Sequence, residues 1–185
     1  MKKGAIFWFT GLSGAGKTTV ANAVERKLKE DRYSVFIIDG DEVRKQFHCH
    51  LGFSREDIKK NNALIAKMCE KNRGRFDAVL VPIISPFTES REKAREYLGE
   101  GFYEIYFKAS LDYLVRQDVK GLYAKAKQKI INDLIGFSKT GVAYEEPGNP
   151  DLIINSEEED PKASIQLLYD FAVVRLSASA RGKRN

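Results

Sequence analysis

The feature that most constrains this chain is a short apolar run that breaks into glycines and then into an amphipathic helix. Ala5-Ile6-Phe7-Trp8-Phe9 is rich in β-formers and reads as a buried strand. Gly11-Leu12-Ser13-Gly14-Ala15-Gly16-Lys17-Thr18 follows and fits the pattern G-x-x-x-x-G-K-[ST]. From Lys17 onward Val20, Ala21, Val24 and Leu28 recur at spacings of three and four, which predicts a helix with one apolar face. Strand, glycine loop and helix in this order form a phosphate cradle. The glycines let successive N–H groups face inward, the helix amino end adds positive potential, and Lys17 brings a charge to the β- and γ-phosphates. The expected nucleotide contacts are Gly11, Leu12, Ser13, Gly14, Ala15, Gly16, Lys17, Thr18 and Thr19, with ATP as cofactor and Mg²⁺ held by the Thr18 hydroxyl.

The same alternation continues along the chain. Val35 to Ile38, Ala78 to Ile84, Tyr103 to Phe107 and Leu152 to Ile154 read as further strands, separated by helical stretches at residues 54–72, 90–98, 111–117 and 161–176. Nearly continuous apolar strands alternating with helices predict an α/β three-layer fold with a five-stranded parallel sheet covered on both faces. At 185 residues the expectation is a single domain over residues 1–176, with a basic tail at 177–185. Residues 120–150 break the rhythm with Gly121, Gly136, Gly141, Pro147 and Gly148, and are expected to form a mobile lid whose Lys-rich first part is helical.

Composition bounds the partners. No run approaches the length needed to cross a bilayer and no secretory leader precedes Gly11, so a cytoplasmic protein without membrane contact is expected. The net charge of +5 is spread along the chain, which suits a small anionic ligand better than nucleic acid. Cys49 and Cys69 are too few for a disulfide scaffold, and His48-Cys49-His50 lacks a second pair of metal ligands, so both features are read as structural.

A second constellation follows the second strand. Asp39-Gly40-Asp41 places two carboxylates beside the phosphate loop, where they can approach a metal or orient an acceptor hydroxyl; an Asp-Gly turn with solvated side chains is the plainer reading. Arg44 lies three residues after Asp41, one helical turn away, and adds an anion-binding fork. Arg91 and Lys120 are further basic candidates. The third strand ends in Ile84-Ser85 with no terminal Asp, which favours a small kinase over a motor ATPase or GTPase.

These segments, with Gly52-Phe53-Ser54, Ile84-Ser85-Pro86, Asp118-Val119-Lys120-Gly121-Leu122-Tyr123, Tyr144-Glu145, Pro147 and Asn149-Pro150, resemble the adenylylsulfate kinase family over residues 4–156. The resemblance implies a P-loop kinase that moves the ATP γ-phosphate to the 3′-hydroxyl of adenosine 5′-phosphosulfate, and a homodimer. Carried over, Lys17, Asp39, Asp41, Ser85 and Lys120 form the catalytic set. Asp41, Arg44, Phe53, Asn61, Ile84, Ser85, Lys120, Leu122 and Phe137 bind the acceptor, with Phe53 and Phe137 sandwiching its base.

The chain departs from that pattern at several points. Ile58 stands where an arginine toward the phosphosulfate is expected, with Lys59 or Lys60 as imperfect substitutes, and Ala63 and Leu64 replace two further arginines. Gln117 replaces an arginine before Asp118, and Phe137-Ser138-Lys139-Thr140 alters the lid. Two alternatives stay open on the sequence: a sister kinase for another anionic nucleotide, such as a cytidine diphosphate derivative (a diphosphoramidate, for example), and a nucleotide-dependent regulatory binding module.

Overall fold

Alternate side chains of the first strand, β1 (Ala5–Thr10), go to opposite faces of a sheet and found two separate cores. Phe7 and Phe9 pack on one side with the apolar face of α1 (Lys17–Glu30), while Ile6 and Trp8 pack on the other. The computed structural model describes residues 3–47, 50–137 and 142–181, with side chains through residue 178. The lid residues 138–141, the pair His48-Cys49 and the last four residues lie outside the described residues.

Around β1 lie β2 (Val35–Ile37), β3 (Ala78–Val81), β4 (Phe102–Lys108) and β5 (Leu152–Asn155), in the order β2-β3-β1-β4-β5, every neighbouring pair parallel. The chain order reverses between β3 and β4, on either side of β1, so the crevice for a ligand opens at the carboxyl end of β1. Helix α1 and the last helix, α7 (Pro161–Arg181), cover one face; α3 (Arg55–Arg73) and α4 (Thr88–Leu98) cover the other. Short helices α2 (Gly40–Gln46), α5 (Leu111–Gln117) and α6 (Leu122–Lys127) surround the carboxyl ends of the strands. No helix among the described residues is long and apolar enough to cross a membrane.

Two element ends lie well away from the sequence reading. The third strand stops at Val81 rather than Ile84, because Pro82 has no N–H for the ladder and the chain turns toward the glycine loop. There the Ile84 carbonyl accepts from Gly11 N at 3.3 Å and from the Thr10 hydroxyl at 2.8 Å. The final helix runs on to Arg181, so residues 177–181 are helical and not a tail; Leu176, 6% exposed, still anchors that stretch to the core. Described residues of the expected lid contact the rest of the domain: Glu145 N donates to Pro86 O at 2.8 Å, and Ile135, Val142 and Tyr144 pack against Ile58 and Phe87.

Candidate active site

Gly11, Gly14 and Gly16 all have positive φ (143°, 85° and 82°), the backbone freedom that curls the loop between β1 and α1. At Gly11 a side chain is also excluded by space, since a Cβ would lie 2.5 Å from the Phe107 carbonyl oxygen. Lys17 opens α1 and is buried, its Nζ donating to the carbonyls of Gly11 (2.8 Å) and Leu12 (2.7 Å). Burial and the nearby Lys120 charge pull its ammonium down to about 7, against the opposing pull of Asp41 and Asp39.

Asp39 caps α2, its Oδ1 accepting from the backbone N–H of Asp41 (2.9 Å) and Glu42 (3.3 Å). Its Oδ2 accepts from the Thr18 hydroxyl at 3.1 Å. A hydroxyl and a carboxylate so close at the head of α1 suit Mg²⁺, which in phosphate sites takes one or two protein carboxylates and fills its octahedron with phosphate oxygens and water. No cluster of three His, Cys, Asp or Glu exists among the described residues, so a cage made by the protein alone is not the arrangement. Asp41 projects from the first turn of α2 with its side chain 75% exposed, and Lys120 Nζ stands 3.7 Å from its Oδ2. Such a carboxylate is free to accept a hydroxyl proton.

Arg44 lies a turn beyond Asp41 and donates to the carbonyls of Leu51 (2.9 Å) and Gly52 (2.7 Å), with its guanidinium 4.6 Å from the centre of the Phe53 ring. This holds Phe53, 45% exposed, on the cleft wall. Ser85 is buried with φ 43°, and among the described residues nothing bonds its hydroxyl. Its backbone is clamped from behind, since Arg91 donates to the Ser85 carbonyl at 2.8 Å and to the Glu145 carbonyl at 2.9 Å. Arg91 is 1% exposed and pairs through Nε with Glu104 Oε1 at 2.7 Å, which fixes it as scaffold and not as a cleft cation.

A cleft of about 390 Å³ joins these groups. It is lined by the loop from Ser13 to Thr19 and by Asp41, Arg44, Phe53, Asn61, Ile84, Ser85 and Lys120. Gly11 and Leu12 serve through their carbonyls on Lys17, and Asp39 through its cap and Thr18. Two expected acceptor residues are not brought to the wall. Leu122 opens α6 behind the loop, and Phe137 packs edge-on against Tyr123 at 5.3 Å, so the Phe53–Phe137 sandwich is not assembled.

Nor do Lys59 and Lys60 replace the missing arginine. Lys59 pairs with Glu89 on α4, and both lysines, like Ala63, line a separate groove. Ile58 touches the cleft but is 3% exposed and packs with Phe87 and Ile135. Residues missed from the sequence also line the cleft: Asn62, Tyr113, Val119, Ser156, Glu159, Pro161 and Ser164. Ser156 follows the carboxyl end of β5, so the rule that ligands sit beyond strand ends was the signal that could have found it.

Residues 3–155 match the family model for adenylylsulphate kinase. The chain belongs to the adenylylsulphate kinase family. It is 44% identical over 174 residues to an adenylyl-sulfate kinase of Halothermothrix orenii, covering 92% of this chain and 90% of that one. It is 40% identical to a probable adenylyl-sulfate kinase of Bacillus subtilis, over 95% and 88% of the two chains. Among solved structures, the Mycobacterium tuberculosis APS kinase in complex with AMPPNP and APS superposes with a TM-score of 0.84 at 36% identity, covering 92% of this chain and 98% of that chain. Shikimate kinase from Aquifex aeolicus, at 14% identity and a TM-score of 0.53, shares the fold alone.

Proposed function

We propose that this chain transfers the γ-phosphate of ATP to the 3′-hydroxyl of adenosine 5′-phosphosulfate, giving ADP and the 3′-phosphorylated nucleotide. The observation that carries the reading is the meeting, in one cleft of a chain of this family, of a phosphate loop with Lys17 and an exposed Asp41 flanked by Lys120 and Arg44. The loop N–H groups and Lys17 take the ATP phosphates, the phosphates competing for the Nζ that now rests on the Gly11 and Leu12 carbonyls. Thr18 and Asp39 would hold Mg²⁺, whose contribution is to neutralise charge on the phosphates.

Asp41 accepts the proton of the attacking 3′-hydroxyl, and Lys120 beside it balances charge on the transferring phosphoryl group. Phe53 offers a face to the acceptor base and Asn61 an amide for hydrogen bonding. Ser85, with no nucleophile-activating base among its described contacts, shapes the site in a direct in-line transfer. The reading places the enzyme in the cytoplasm as a homodimer, the second point being open to light scattering.

One observation favours a different anionic nucleotide as acceptor. Ile58 fills the position of an expected phosphosulfate-binding arginine, and the neighbouring lysines face the other way. Steady-state ADP release with adenosine 5′-phosphosulfate, run beside adenine and cytosine nucleoside diphosphate derivatives, separates the two. A kcat/KM highest on the phosphosulfate supports the proposal, and turnover confined to another nucleotide replaces it.

A further inference from the structure

On the far side of α3 from the cleft lies a second cavity of about 400 Å³, a groove between α3 and α4 that no role above uses. Its α3 wall carries Lys59, Lys60, Asn62, Ala63, Ala66 and Lys67, the spacing of one helix face. Its α4 wall carries Glu89, Ser90, Lys93, Ala94 and Tyr97 at the matching spacing. The three alanines leave a flat apolar floor, and Tyr97, 55% exposed, stands at its edge.

Charge on the rim is unbalanced. Four lysines face one carboxylate, Glu89, which is shared between Lys59 and Lys93 (the latter at 2.7 Å) and is pulled down to about 2 by these two hydrogen bonds. Lys60 and Lys67 make no ion pair among the described residues. Ser90, on the α4 wall, is 6% exposed, and its hydroxyl has no hydrogen-bond partner among the described residues. Burying a hydroxyl without a partner is costly, so the position calls for a polar group from outside the chain. Asn62 also lines the active cleft, so it stands in the wall between the two cavities.

We infer that the α3–α4 groove is a second ligand site, for a nucleoside phosphate whose flat base lies on the Ala63, Ala66 and Ala94 floor and whose phosphate is held by Lys60 and Lys67. The apolar floor argues against a bare anion, and the lysine rim against an uncharged aromatic. Lysine ammonium groups act as point charges on flexible stems and so suit phosphate oxygens in more than one pose. The volume falls within the range of about 300–1,000 Å³ usual for small-molecule sites. The inference is independent of the acceptor assigned to the cleft.

The test is an amide NMR titration of the full chain with AMP and, separately, with adenosine and with inorganic phosphate. With AMP, the Ala63, Ala66 and Ala94 signals should shift saturably and apart from those of Gly14 and Gly16 in the phosphate loop. In Lys60→Glu/Lys67→Glu the groove shifts should weaken at least tenfold while the loop shifts and turnover stay as in the parent. Ala63→Phe, which fills the floor and leaves the charge, should abolish the groove shifts too. Absent groove shifts, or shifts equally strong in both variants, would overturn the site; equal affinity for inorganic phosphate would overturn the nucleoside assignment. Turnover is read separately, so failure here leaves the kinase reading standing, and failure of that reading leaves this site standing.

Discussion

Lys17 is the buried cation of the phosphate loop, held on the Gly11 and Leu12 carbonyls. Its removal takes away the side-chain charge on the transferring phosphoryl group, so Lys17→Ala should lower kcat by at least about 100-fold, measured by ADP release, with the fold retained by circular dichroism. Asp41 touches only Lys120 among the described ion pairs and is mostly exposed, so it contributes chemistry rather than stability. Asp41→Asn should reduce kcat about 10²- to 10⁴-fold, the span of general-base catalysis, while the ATP Kd and the melting temperature hold. An unchanged rate would remove Asp41 as the base. At this scale the sequence was highly legible, because glycine spacing and a single lysine encode the loop directly. Phe137 was not, because whether a ring faces a cleft or packs on Tyr123 depends on a docked segment whose path no local pattern specifies.

Among the elements, α2 is seven residues long and depends on its amino-terminal cap. Asp39→Ala removes two N–H acceptors and the Thr18 partner together, and should cost about 1 kcal/mol of stability on top of lost activity. Asp39→Asn keeps a cap, so its melting temperature should stay near the parent while activity falls. Comparing the two melting curves with the two rates separates capping from chemistry. The contact of α3 with the lid rests on Ile58, Phe87 and Ile135. Ile58→Ala should cost about 2–5 kcal/mol in denaturant unfolding, the span for a buried isoleucine truncated to alanine, and should raise the acceptor KM more than it lowers kcat. Strands and long helices were legible from periodicity. The end of β3 and the extension of α7 were not, since the first turns on a proline leaving the ladder and the second runs through Ser177-Ala178-Ser179-Ala180, which carries no apolar spacing.

For the whole molecule, the order β2-β3-β1-β4-β5 sets the phosphate loop at the centre of the sheet and surrounds it with the ends of four other strands. That order is not written in any local segment, which is why cleft residues after β5 were missed while those after β1 were found. The buried Lys17 makes the molecule's behaviour depend on pH. Its ammonium falls from the ordinary 10.5 to about 7 on folding, so between these values the unfolded chain holds a proton that the folded chain lacks. This group's contribution to stability therefore grows as pH rises from 7 to 10.5 and is absent below that window. ATP phosphates restore the charge, so nucleotide binding at pH 8 should take up a proton. Calorimetry in buffers of different ionisation enthalpy reads that uptake, which Lys17→Met should abolish.

The most direct measurement follows the phosphate itself. ATP labelled in its γ-phosphate is incubated with the enzyme, Mg²⁺ and adenosine 5′-phosphosulfate, and the nucleotide product is treated with a 3′-specific nucleotidase. Label that enters the sulfated nucleotide and is released by that nucleotidase is the predicted result. Label that stays in ATP, appears as free phosphate, or enters the acceptor at a position resistant to the nucleotidase would contradict the assignment.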